Sequence, residues 1–145
     1  MKNIYVVIKR FDKTLPLPEY KTDGSIGFDL VCRQETVIRP FEVKLIPLNV
    51  VIKIPKGYGL FLIPRSSTPL KKNLLIPNGV GVIDQDYCGE NDEIKLPVLN
   101  FSKKDVTVTK GERIAQAVFV KLEKFNFSEI DSMKEKSRGG FGSTG

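Results

Sequence analysis

A carboxylate placed where an apolar strand ends is the first candidate for chemistry in this chain. Within the segment Pro77-Asn78-Gly79-Val80-Gly81-Val82-Ile83-Asp84-Gln85-Asp86-Tyr87-Cys88-Gly89-Glu90, residues 79–87 gather two glycines, two acids and an aromatic ring. Gly79 and Gly81 allow the backbone to approach a ligand closely. Asn78 carries both a donor and an acceptor, which suits a base edge. Val82 and Ile83 predict a buried strand, and Asp84 emerges from its end. A carboxylate held there rigidly can activate water. Asp86 reads as a turn residue. The structural alternative for the segment is a hairpin with an Asp-rich turn.

Three other segments carry suitable groups. Pro64-Arg65-Ser66-Ser67 closes an apolar strand with one cation and two hydroxyls. Arg65 can grip a phosphate through two parallel hydrogen bonds, and Ser66 or Ser67 can cap a short helix. Ser25-Ile26-Gly27-Phe28-Asp29-Leu30 sets an acid among apolar neighbours, where it needs a cation, backbone amides or a metal. In Gly111-Glu112-Arg113-Ile114-Ala115-Gln116 the amide of Gln116 is either a structural hydrogen-bonder or a ligand contact. The chain closes on Phe141-Gly142-Ser143-Thr144-Gly145, just after the basic stretch around Lys136 and Arg138. A ring to stack on a base, with hydroxyls, amides and cations for phosphates, are the parts of a nucleotide lid. The ordinary alternative is a solvated Gly/Ser tail.

Composition narrows the chemistry. The 145 residues suggest one domain, and 41% hydrophobic content supports a real core. There is no histidine. That excludes Ser-His-Asp and Cys-His catalysis and histidine-ligated metal sites. A net charge of +6 favours an anionic ligand. The lysines are scattered rather than blocked together, which speaks against a nucleic-acid surface. Cys32 and Cys88 form no CxxC pair, and a reduced, cytoplasmic protein is the expectation. No apolar run is long enough for a membrane span. Neither a P-loop nor a GxGxxG turn is present.

The elements that must hold these groups are short. Apolar β-type runs cover residues 4–8, 43–46, 50–54, 59–63, 94–101, 106–108 and 114–122, punctuated by Arg39-Pro40, Pro55-Lys56-Gly57 and Lys110-Gly111. Helix is expected only as a turn after Ser66 and over part of 127–136. Many short strands predict an all-β sandwich or barrel. A barrel domain over 1–127 and a linker with a C-terminal tail over 128–145 follow from the fall in apolar content. So small a barrel leaves its sites at loop mouths or between subunits.

Taken together and in order, these five segments resemble the motifs of the trimeric dUTPase (dUTP diphosphatase) family. The resemblance spans nearly the whole chain. It implies a jelly-roll-like β-barrel in a homotrimer, with each site shared between neighbours and closed by an exchanged C-terminal tail. It implies Mg²⁺-dependent hydrolysis of dUTP to dUMP and pyrophosphate, which limits uracil in DNA and supplies dUMP for dTMP synthesis. By family position Asp84 would deprotonate the water that attacks the α-phosphorus, and Tyr87 would pack under the deoxyribose. Asn78, the backbone of Gly81, Val82 and Ile83, and that of Lys95 would read uracil and sugar. Arg65, Ser66, Ser67 and Gln116 would hold the triphosphate. Phe141 would stack on the base, with Gly142, Ser143 and Thr144 near the γ-phosphate. Asp29 would act near the metal, through water, or anchor the site.

The chain departs from the family pattern in three places. Arg138 lies three residues before Phe141, and Lys136 holds the five-residue spacing usual for an arginine. The stretch Glu90-Asn91-Asp92-Glu93 is longer than the family hairpin. Cys88 stands where a basic or polar residue is common. Two other readings compete. Proteins similar to dCTP deaminases carry an arginine where Leu70 stands, and lack the aromatic-Gly-Ser-Thr tail. A nucleotide sensor on the same scaffold has no need of the water-activating acid.

Overall fold

The computed structural model describes residues 4–143. Eleven strands and one short helix follow one another: β1 (Val7–Arg10), β2 (Phe28–Val31), β3 (Thr36–Ile38), β4 (Val43–Pro47), β5 (Val50–Lys53), β6 (Tyr58–Pro64), α1 (Ser67–Lys72), β7 (Leu74–Leu75), β8 (Gly81–Ile83), β9 (Lys95–Asn100), β10 (Val106–Val108) and β11 (Arg113–Lys121). All pairings are antiparallel. They build a four-stranded sheet in the order β2-β11-β6-β8, a three-stranded sheet β4-β9-β7, and two ribbons, β1-β5 and β10-β3. The protein is all-β.

The long strands alternate as half-buried strands must. In β9 the inward positions are Leu96, Val98 and Asn100. In β6 Leu60 and Leu62 point inward, and Ile114, Ala115 and Ala117 of β11 join the same core. Burying one such leucine or isoleucine contributes about 1.5–3 kcal/mol. Small side chains at Ala115 and Ala117 let β11 lie flat between β2 and β6.

Most of the expected strands are present, with shifted ends. The N-terminal run forms a strand only from Val7 to Arg10, because pairing with β5 sets its limits. Three strands that hydropathy alone did not single out, β2, β3 and β7, have two to four residues each. The helix expected within 127–136 is absent: from Leu122 to Ser143 there is no helix or strand, and nearly every side chain is exposed. With no surface to pack on, an isolated segment of this length does not hold a helix. Cys32 and Cys88 are both free.

Polar groups inside the barrel are satisfied. Asn100 is fully buried; its Nδ2 donates to the carbonyls of Ile38 (3.0 Å) and Lys104 (2.7 Å), and its Oδ1 accepts from the Ser102 amide at 2.9 Å. Asn49, also fully buried, takes φ 71° and exchanges hydrogen bonds with the backbone of Asp12 (2.7 and 3.0 Å). The Lys110 ammonium and the Thr14 hydroxyl and amide hold the Asp12 carboxyl well below the usual carboxylate range. Asn100→Ala removes the Nδ2 donor from the Ile38 and Lys104 carbonyls. A loss of about 1–3 kcal/mol in denaturant-unfolding stability is expected.

Candidate active site

β11 sets the first group of candidate residues. Its register places Gln116 level with Asp29 of β2 on one side and Ile63 of β6 on the other. Arg65, one residue beyond β6, therefore reaches Asp29: its Nε donates to Oδ1 at 2.9 Å. Arg113 Nη1 donates to the other oxygen at 3.2 Å. Both carboxylate oxygens of Asp29 are thus taken by arginines, and the acid holds two cations side by side. The Gln116 Nε2 donates to the Pro64 carbonyl at 3.0 Å. Of the alternatives left open for Asp29, this geometry gives it arginine partners.

Helix α1 continues this group. Ser66 precedes the helix, but its side chain makes no capping bond. The expected serine cap is therefore absent, and the exposed Ser66 hydroxyl is uncommitted. Thr68 is buried and its hydroxyl donates to the Ile114 carbonyl at 3.3 Å, tying α1 to β11. Between them lies a polar cavity of about 250 Å³ lined by Arg65, Ser67, Lys71, Lys72, Glu112 and Arg113. Lys72 pairs with Glu112 at 2.7 Å. The four cations lining the cavity have two carboxylate partners, Glu112 and Asp29, and the positive surplus suits a phosphate chain.

The second group lies on β8 and the hairpin after it. Gly81 is buried against Leu62, whose Cβ would stand 3.0 Å from a Cβ added at Gly81. Val82 is 64% exposed, so β8 is not the buried strand expected. It has three residues and lies at the edge of its sheet, which leaves one face uncovered. Asp84 does follow directly on β8, and it is exposed. Its carbonyl accepts from the Tyr87 amide at 3.2 Å. The next side chain, Gln85, donates to the carbonyls of Tyr58 (2.7 Å) and Pro55 (3.4 Å), fastening the turn to the β5–β6 loop. The Tyr87 hydroxyl donates to the Glu93 carbonyl at 3.0 Å. Asn78 is exposed in the turn leading into β8, and Lys95 is exposed at the start of β9 opposite Pro47. Ile83 is half-buried opposite Leu60.

One protomer does not bring the two groups together. Ile83 pairs with Leu60, so Asp84 stands level with Gly59 at one end of β6. Arg65 stands beyond the other end. The six-residue offset along the strand, at about 3.3 Å per residue, puts them roughly 20 Å apart. The third group, the tail, touches neither. Phe141 is fully exposed, and the Ser143 hydroxyl accepts from the Gly140 amide at 2.6 Å in a local turn. Arg138, Gly142 and Ser143 are exposed, and Thr144 lies outside the described residues.

The sequence match decides the family. The dUTPase family model matches residues 13–145. The chain belongs to the dUTPase family. Two deoxyuridine 5'-triphosphate nucleotidohydrolases illustrate the similarity. The one from Finegoldia magna is 42% identical over 134 residues, covering 90% of this chain and 92% of its own length. The one from Hydrogenobaculum sp. is 42% identical over 143 residues, covering 97% of each. The crystal structure of the Streptococcus mutans dUTPase superposes with a TM-score of 0.75 at 31% identity, over 83% of this chain and 98% of that one. The Staphylococcus bacteriophage 80alpha dUTPase with dUPNHPP shares the fold over 99% of both chains (TM-score 0.86, 24% identity).

The dUTPase motifs contain functional neighbours that residue types alone do not mark. Arg113 is visible as part of the fourth motif, yet its share of Asp29 depends on β2 lying beside β11. Gln85 and Glu93 give no signal, because their partners are backbone carbonyls and a distant arginine. Gly27 is explained by space: a Cβ there would stand 3.0 Å from Gln116 Oε1 and 3.4 Å from the Ala117 carbonyl. Gly27→Ala is expected to displace the Gln116 amide and cost about 1–3 kcal/mol. Gly24→Ala, with nothing within 4 Å of the new methyl, is expected to be neutral or slightly stabilising. Thermal unfolding of the two variants makes the comparison.

Proposed function

We propose that this chain hydrolyses dUTP to dUMP and pyrophosphate at sites shared between the subunits of a homotrimer. The separation of Asp84 from Arg65 by the length of β6 is the observation that carries this reading. The two groups complement each other chemically, one for base, sugar and water, the other for phosphates. Only a neighbouring subunit can complete either of them. Exposed apolar surface supports the assembly: Val43, Leu45 and Leu75 line the outer face of the β4-β9-β7 sheet, and Phe125, Phe127, Ile130 and Met133 stand out along the tail. Such surface on a single chain marks an interface.

In this scheme the Asp84 carboxylate, exposed at the end of β8, takes the proton of the water that attacks the α-phosphorus. Tyr87 packs under the deoxyribose and fills the space of a 2′-hydroxyl. Asn78, the open edge of β8 and the backbone at Lys95 read uracil. Arg65, steadied by Asp29, binds the triphosphate with Ser66, Ser67 and Gln116. Residues 1–127 form the barrel, and 128–145 act as linker and lid. Phe141 closes on the base, with Arg138 or Lys136 and Gly142, Ser143 and Thr144 on the γ-phosphate. The lid excludes water and completes the site.

The donor set fits magnesium carried in by the substrate. Among the described residues no group of three or more Cys, Asp or Glu is placed to hold a metal. Magnesium favours phosphate oxygens and water over a protein cage, so Asp84 and Asp29 need supply no cage. Bound to the triphosphate, it would offset the charge that develops on the phosphates.

No helix among the described residues is long and apolar enough to cross a membrane. Two free cysteines suit a reducing cytoplasm.

Two outcomes test the reading. Asp84→Asn is expected to lower dUTP turnover by about 10²–10⁴-fold with dUTP binding retained. Pyrophosphate release across dUTP, dTTP, dCTP and UTP, with and without magnesium, measures it; near-normal turnover removes the base role. A chain ending at Gly140 is expected to keep its oligomeric mass by light scattering and to lose about ten- to a hundredfold in kcat/KM, the worth of one stacked base. Dissociation of the assembly instead would make the tail structural.

A further inference from the structure

The hairpin that carries Tyr87 is held by a residue clamped from both ends. The carboxylate of Glu93 is almost fully buried, with its side chain 6% exposed. Arg33 grips it in two places, Nε on Oε1 at 2.7 Å and Nη2 on Oε2 at 3.0 Å. The Asn49 amide donates to Oε1 at 2.9 Å. The backbone carbonyl of the same Glu93 accepts the Tyr87 hydroxyl at 3.0 Å.

The stretch between them is closed on itself. Asp92 Oδ2 accepts from the Gly89 amide at 2.7 Å, the Gly89 carbonyl accepts from the Asp92 amide at 3.2 Å, and Lys9 pairs with Glu90. The longer hairpin is therefore a compact turn. It is fastened to the barrel by the exposed Lys9–Glu90 pair and by the bonds that the buried Glu93 carboxylate accepts from Arg33 and the Asn49 amide.

We infer that the Arg33–Glu93 ion pair is a positioning element that fixes the Tyr87 ring through the Glu93 carbonyl, and so sets discrimination between deoxyribose and ribose. The inference rests on the functional reading above, in which Tyr87 meets the sugar. A tyrosine ring 39% exposed is not held by packing alone. Its hydroxyl needs a fixed acceptor. A backbone carbonyl is fixed only as firmly as its residue, and Glu93 has charge-assisted bonds to a guanidinium that itself lies against Phe11. A buried carboxylate deprived of its cation must take up a proton or move toward water. Either response shifts the acceptor. A supporting shell loosened by about 1 Å is enough to spoil a positioned contact.

The test is a double-mutant cycle read on selectivity. The ratio of kcat/KM for dUTP to that for UTP is measured for the wild-type chain, Tyr87→Phe, Glu93→Gln and the double variant. Each single change is expected to reduce the ratio about tenfold, the scale of a small steric discrimination. The double change is expected to reduce it no further, because both act through one hydrogen bond. Arg33→Lys, which keeps the charge and loses the two-point grip, is expected to fall between wild type and Glu93→Gln. A purely structural role would move thermal stability and leave the ratio unchanged. Tyr87→Phe removes only the hydroxyl that donates to the Glu93 carbonyl and keeps the test open should Glu93→Gln fold poorly. An unchanged ratio in Tyr87→Phe, or additive losses in the cycle, overturns the inference while wild-type selectivity for dUTP leaves the functional reading standing. A wild-type chain inert toward dUTP overturns both.

Discussion

The antiparallel register of β11 with β2 and β6 is the constraint on which the Arg65 half of the candidate site depends. It sets Asp29, Gln116 and Ile63 in one row, and with them Arg65 and Pro64. A slip of one residue would turn every side chain of β11 to the other face, so the buried alanines and Ile114 enforce the register as strongly as any hydrogen bond. The ion pairs of Asp29 with Arg65 and Arg113 are a consequence of that row. They are half-buried, and their value lies more in holding a guanidinium in place than in stability.

The same sheet keeps the two groups of candidate residues apart within one chain. β8 joins β6 at the edge and runs opposite to it, which carries Asp84 toward one end while Arg65 leaves from the other. A seven-residue strand is too long for side chains to bridge. Exposed apolar faces and the exposed side chains of tail residues 128–143 leave surface that a partner can cover. Within the hairpin, polar fastenings do what packing does elsewhere: Gln85 holds the Asp84 turn to two carbonyls, and Glu93 holds the Tyr87 end. These are backbone-directed bonds, and they orient a loop that has little core of its own.

Much of this architecture is legible in the order of the amino acids. Apolar runs in β6, β9 and β11, bounded by turn residues, mark strands whatever their partners. The absence of histidine confines acid–base chemistry to other side chains, carboxylates first among them, and the five segments in order point to the dUTPase family. The short strands β3 and β7 are not legible, since two or three residues carry too little periodicity, and the strand read at Val82 and Ile83 is present but not buried. The helix expected within 127–136 fails for the opposite reason: local pattern suggests it, and no surface in the protomer receives it.

Sequence alone settles which groups exist: Asp84 beside Tyr87, Arg65 before two serines, an aromatic ring near the C-terminus, and the apolar runs that make strands. These are properties of neighbouring residues, and neighbours along a chain stay neighbours in space. The folded chain settles who meets whom across long stretches, such as Asp29 with Arg65 and Arg113, and Glu93 with Arg33. It also sets Asp84 and Arg65 at opposite ends of β6. Those relations come from strand register and from which buried charge finds a partner, and both are settled only when the whole core closes.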